Sequence, residues 1–245
     1  MDSNICERNF LGSRYIGTQV TFTDPFVGTW VVVEKMNEKY IQEHPEDRLS
    51  YPSYAFASFV CQNTEDPSQH AIMKIWMQIP SVGSEAELET FLRVHRMSLP
   101  ATPKLLGVKQ GTQNEEGMVP GGFILHLVYT RAPGARLGPA VENMSLFWTL
   151  PERTREAIRQ SFRQGFISLT RAGVNFSRGT LDHLVWDEET GQVYFINFEY
   201  CSFGPEKPWR NRIFGVWYLA NPPKSAKWYE DDYNDTDLKA AKWEL

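Results

Sequence analysis

This sequence has few cysteines, no long apolar run and no excess of positive charge, and each shortage narrows what the protein can be. Its three cysteines, Cys6, Cys61 and Cys201, are widely spaced. They form neither a metal-ligand pair nor a disulfide framework, and they read as reduced structural thiols of a cytosolic protein. No apolar stretch approaches the roughly 18 residues of a membrane span. The segment from Met1 to Arg8 lacks a basic region followed by an apolar run, so neither a secretory signal nor a membrane partner is expected. A net charge of −5 leaves no basic surface for nucleic acid. Gly-x-Ser-x-Gly, His-Glu-x-x-His and Gly-x-Gly-x-x-Gly are all missing, so nucleophile-elbow, zinc-protease and dinucleotide-binding chemistries have no support.

What is present is a foldable core. Apolar residues make up 42% of 245 residues, with eight tryptophans. That is enough for one domain or for two small lobes around one cleft. Residues 1–28 are mixed. A Val-rich strand is expected over 29–34, and the polar stretch 35–53, with Pro45 and Pro52, reads as a loop or short helix. Residues 54–62 and 70–76 are β-prone and flank Asp66-Pro67, which predicts an antiparallel hairpin. Ser84 and Glu87 form a capping box that opens a helix carrying Leu88, Phe91, Leu92 and His95. Two strands follow over 105–109 and 122–129. The Gly/Pro-rich stretch 131–139 reads as a hinge between an N-terminal lobe over 1–130 and a C-terminal lobe over 140–245.

The clearest helix spans 151–171, with Pro151 in its first turn, Ile158, Phe162, Phe166 and Leu169 on one apolar face, and Gly173 as its stop. Beyond it come an irregular loop and two short apolar runs, 184–186 and 193–196, joined by a polar turn at Gly191. Residues 203–223 read as irregular. The stretch 229–237 holds five acids and reads as a solvated segment, with a docking tail for a basic partner as the alternative. A short helix is expected over 238–245.

The order and spacing of residues 173–199 resemble the catalytic segment of the protein-kinase-like superfamily, and the likeness runs over roughly 54–200. Ala71-Ile-Met-Lys74 stands where that family has the strand whose Lys binds nucleotide phosphates, and Glu87 stands where it places the Lys partner. The resemblance implies a two-lobed α+β kinase-like fold with a β-rich N-lobe. The C-lobe must be abbreviated, because only 46 residues (245 − 199) follow Glu199.

The residues for phosphoryl transfer are mostly replaced. Aligned with the family's pattern, Phe176 takes the place of its His, Arg178 that of its catalytic Asp, and His183 that of its metal-binding Asn. Asn197-Phe198-Glu199 stands for Asp-Phe-Gly, and no Gly-rich loop precedes Ala71 at the right distance. Magnesium prefers anionic oxygens, and arginine cannot accept a proton. No cofactor or metal is therefore expected.

The pocket implied by the resemblance is a cleft between lobes that takes an organic small molecule. Lys74, Glu87, Arg178 and Asn197 would contact the ligand, and His183, Glu199 and Asp182 are the candidates for acid–base work. An enzyme of this kind, working by acid–base or shape-directed catalysis, would be a cyclase, isomerase or lyase rather than a kinase. Two alternatives stand beside it. One is a non-catalytic pseudokinase that docks a protein through 203–245; the other is a divergent phosphotransferase using Glu199 and Asp182. Each site residue also has a structural reading: Lys74 in an ion pair, Glu87 as a cap, Asn197 and Glu199 on backbone groups, His183 in the core, Asp182 as a cap of the loop, and Arg178 neutralising Glu199.

Overall fold

The computed structural model describes residues 11–41, 53–79, 96–97, 99–139, 145–196, 198, 201–224, 227–230 and 232–245. The chain forms two compact units, Met1–Glu89 with Lys104–Arg131, and Thr90–Pro103 with Ala132–Leu245. The mixed α and β composition expected from the sequence is present, dominated by a large antiparallel sheet. No described helix is long and apolar enough to cross a membrane.

The first unit is one sheet of six strands: β1 (Gln19–Phe22), β2 (Gly28–Ile41), β3 (Tyr54–Asn63), β4 (His70–Gln78), β5 (Leu105–Thr112) and β6 (Phe123–Thr130), in spatial order β1-β2-β3-β4-β6-β5. Strands β3 and β4 are the hairpin read from the sequence. Asn63 caps its turn, its side chain accepting from the Glu65 and Asp66 amides. Alternation along the strands places Ala57, Phe59, Met73, Ile75 and Val128 in one core with Val20, Phe22, Val32 and Leu11. The sheet curls until its ends meet. Pro25 bridges to Gly107, and the Val108 amide donates to the Asp24 carbonyl at 2.7 Å. Gly107 permits this approach, since a Cβ there would lie 2.6 Å from the Phe22 side chain.

Two expectations in this unit are corrected. Strand β1 lies in the stretch read only as mixed, and β2 runs on to Ile41 through residues read as loop or short helix. The outer half of β2 is exposed except at Lys35 and Glu38, which are polar, so it shows no apolar alternation. Its pairing with β3, not burial, makes it a strand. The helix expected from Ser84 lies outside the described residues.

The second unit contains β7 (Ala135–Arg136), α1 (Leu146–Thr149), α2 (Glu152–Arg171), β8 (Val174–Phe176), a 3-10 turn (Leu181–His183), β9 (Leu184–Asp187), β10 (Gln192–Phe195), β11 (Cys201–Phe203) and α3 (Ile213–Val216). Helix α2 buries Ile158, Phe162, Phe166 and Leu169, the face expected from its period. The rings of Phe162 and Phe166 join those of Phe176, Phe195, Trp209, Phe214 and Trp217 in a continuous aromatic core. Ser161 reaches from α2 to accept the Val193 amide at 2.8 Å, which fixes the β9–β10 hairpin on the helix.

The helix expected over 238–245 is replaced by turns that end on a bridge between Asn221 and Glu244, with Lys242 at φ 60°. The acidic segment is also less solvated than its charge suggested. Asp235 is buried, accepting from Arg210 Nε at 3.1 Å and from the Arg212 amide at 2.7 Å. Free Cys61 and Cys201 accord with structural thiols, burial pushing each up to about 12.

Candidate functional site

Lys74 sits at the middle of β4, opposite Ser58 of β3. Period-two alternation puts it on the face opposite Met73 and Ile75, beside Trp76 and across from Phe56. The register pairs Phe56 directly with Trp76. The Lys74 ammonium lies 4.2 Å from the Phe56 ring centroid and 5.1 Å from that of Trp76. Tyr54 extends the aromatic wall, 6.1 Å from Phe56 and 6.0 Å from Trp76. Lys74 is only 4% exposed. A cation so enclosed by ring faces gains from their quadrupoles part of what it loses in hydration. Phe56 and Trp76 were not singled out in the sequence. They became visible only once the turn at residues 64–69 set the strand register.

The second set of candidates lies on the loop after α2. Gly173, at φ 84°, turns the chain out of the helix, and the Gly204 amide donates to its carbonyl at 2.9 Å. Strand β8 then pairs with β11, Phe176 standing opposite Cys201. Phe176 packs against Phe195 at 5.7 Å, Phe198 at 5.9 Å and Trp217 at 5.2 Å. Apolar packing therefore fixes the base of this loop. Arg178 is exposed just beyond it.

Asp182 and His183 follow in the 3-10 turn, both partly exposed and held by the buried Leu181 beside them. The His183 amide donates to the Thr180 carbonyl, and its own carbonyl accepts from Ile196 at 3.0 Å. The Asp182 carboxylate presses against Gly138, where a Cβ would collide with Asp182 Oδ1 and lie 2.6 Å from the Asp182 amide nitrogen. Gly138→Ala is accordingly expected to displace the 3-10 turn and to lower stability by about 1–3 kcal/mol. An unchanged denaturation midpoint in that variant would disprove the contact.

Of the candidates, Asp182, His183 and Arg178 thus share one loop, and Lys74 lies on β4. Glu87, Asn197 and Glu199 lie outside the described residues. No three or more His, Cys, Asp or Glu side chains come together to hold a metal among the described residues. The described donors of this loop, one carboxylate and one imidazole beside a guanidinium, suit magnesium poorly. A groove of about 1150 Å³ runs elsewhere, along the outer side of α2 past Arg159, Arg163, Phe214 and Leu238, and no sequence-predicted site residue lines it.

No protein-family model matches the chain, and no curated protein does. Among solved structures, the chain is similar to one titled "Structure of vaccinia related kinase 3", with 13% identity and a TM-score of 0.42. The similarity covers 76% of this chain and 52% of that one, so the chain spans about half the length of the structure it matches.

Proposed function

We propose that this chain is a kinase-like protein that binds an organic small molecule through Lys74 and does not transfer phosphate. The observation that supports it best is the setting of Lys74, a buried cation against the faces of Phe56 and Trp76. The ring faces of Phe56 and Trp76 beside this ammonium suit an aromatic or unsaturated molecule. The replacements at Phe176, Arg178, His183 and Asn197 argue against magnesium-dependent transfer, which requires carboxylates at the metal and an acceptor for the hydroxyl proton. Any transformation of the ligand is assigned to acid–base chemistry through His183 or Glu199.

The test is a thermal-shift titration of the full chain with ATP, with and without magnesium, beside a panel of aromatic carboxylates. A ligand bound only by the native state raises the midpoint by mass action. An organic ligand should raise it, and Lys74→Met should weaken that ligand by about tenfold or more, since contacts to a desolvated cation are worth ~1.5–3 kcal/mol. A magnesium-dependent shift with ATP would overturn the reading. For the chemistry, a loss of turnover smaller than about tenfold in both His183→Ala and Glu199→Gln would remove the acid–base assignment.

A further inference from the structure

The groove of about 1150 Å³ along the outer side of α2 is lined only by residues of the second unit, whereas Lys74 belongs to the first. Glu152 and Ile167 both line it, so it follows α2 for about 22 Å, fifteen residues (167 − 152) at 1.5 Å each. Spread over that length, the volume averages about 50 Å² in cross-section (1150/22), less than the roughly 80 Å² of an α-helix 10–12 Å across. An extended chain is slimmer. At about 3.3 Å per residue, roughly six or seven of its residues would fill the groove.

The lining combines apolar side chains, Ile167, Phe214, Leu238 and Leu245, with charged ones. Its acids are engaged within the chain. Glu156 accepts from Arg159 Nη2 at 3.0 Å and from Gln160 at 3.3 Å. Glu152 lies 3.8 Å from Lys239 Nζ, and Asp237 accepts the Ala240 amide at 2.9 Å. The first two contacts also occupy the cations Arg159 and Lys239. Arg153 and Arg163 differ from these. Both are exposed in the groove, and among the described residues neither has an ion-pair partner.

Arg163 is also ordered in advance. Its guanidinium lies over the Trp209 ring, 5.4 Å from the centroid. Trp209 is fixed in turn by edge contacts with Phe166 at 5.7 Å and Phe214 at 5.0 Å, and by donating its indole N–H to Asn211 at 2.8 Å. A guanidinium resting on a ring keeps its N–H fork for a carboxylate and loses less freedom when one binds. Arg153 stands ten residues back (163 − 153), about 15 Å along the helix. An extended chain covers that distance in about four or five residues.

We propose that this groove docks an extended acidic segment of a partner protein. One carboxylate of the segment forks onto Arg163, a second meets Arg153, and apolar side chains between them pack on Ile167, Phe214 and Leu238. A nucleic-acid strand fits less well, because its unbroken row of phosphates would face Glu152, Glu156 and Asp237. The proposal does not depend on the ligand at Lys74.

The test is a fluorescence-anisotropy titration of the full chain with a positional-scanning library of labelled peptides. Two positions, about four or five residues apart, are fixed as Glu, Gln or Lys, and the others are degenerate. The Glu pair should bind at least about tenfold more tightly than the Gln pair, with Leu, Ile or Phe preferred between. Arg163→Gln should remove most of that preference. Arg163→Lys should restore only part of it, since an ammonium offers no fork, and Arg163→Glu should turn the preference toward the Lys pair. Arg163 is exposed, so the fold should survive each change, which circular dichroism checks. Arg171→Gln, at an exposed arginine outside the groove, should leave binding unchanged. No peptide binding, equal binding of the Glu and Gln pairs, or equal losses in Arg163→Gln and Arg171→Gln would each overturn the proposal.

Discussion

Trp217→Ala should lower stability by about 3–5 kcal/mol, the range for deleting a fully enclosed large aromatic. The ring is 1% exposed and lies 5.2 Å from Phe162, 5.2 Å from Phe176, 5.5 Å from Phe195 and 6.4 Å from Phe166, centroid to centroid. Edge-to-face contact with Phe176, Phe195 and Phe166 adds to the burial. The backbone of Gly179 also packs directly on the indole, and a Cβ there would stand 2.5 Å from its Nε1. Removing the indole leaves a cavity under both α2 and the Arg178 to His183 loop. The variant should therefore unfold at lower denaturant, and its loop amides should exchange hydrogen faster. A loss below about 1.5 kcal/mol would mean that the aromatic core closes over the gap, contrary to the ring contacts around Trp217.

Acidification from pH 7 to pH 4 should destabilise the first unit through His126, by up to about 3 kcal/mol. His126 lies on β6 opposite Ile75 of β4 and Lys109 of β5, and its Nδ1 is buried without a hydrogen-bond partner. Burial first, then the Lys109 charge, pull its pKa from 6.5 down to about 4, while a hydrogen bond to the Lys109 backbone works in the opposite direction. The folded state thus keeps the imidazole neutral where the unfolded chain would already protonate it. Between about pH 6.5 and pH 4 the unfolded state binds more protons, so stability falls as pH falls; above that window the contribution is complete. The measurement is the unfolding free energy of the unmodified chain against His126→Leu over this range. The difference between the two should narrow or reverse on acidification. Parallel curves would show that His126 titrates normally.

Much of the secondary structure was legible because local chemistry declared it. The β3–β4 hairpin has β-prone runs around Asp66-Pro67, and α2 has a 3.6-residue apolar period between Pro151 and Gly173. The β9–β10 hairpin was signalled by two apolar runs around a turn, whose Asp187 carboxylate receives the Glu189 amide and the Thr190 hydroxyl. The outer half of β2 and the closing segment were not legible. In the first, the residues on the inner face are Lys35 and Glu38, whose carboxylate takes the Leu11 and Gly12 amides, so no apolar alternation marks the strand. In the second, helix-compatible residues yield to a bridge with Asn221 and to the anchoring of Asp235 by Arg210 and Arg212.

The candidate site divides along the same line. From sequence came Lys74 in its strand and the neighbours Asp182 and His183, because strand order, spacing and titratable residue types lie along the chain. Tertiary structure placed Lys74 on Phe56 and Trp76, rested Phe176 on Trp217, and set Asp182 against Gly138. Those contacts join residues up to 44 positions apart (182 − 138). Local propensity carries no record of such distances. They are decided when apolar surfaces compete for burial, and the register of a sheet then determines which side chains meet.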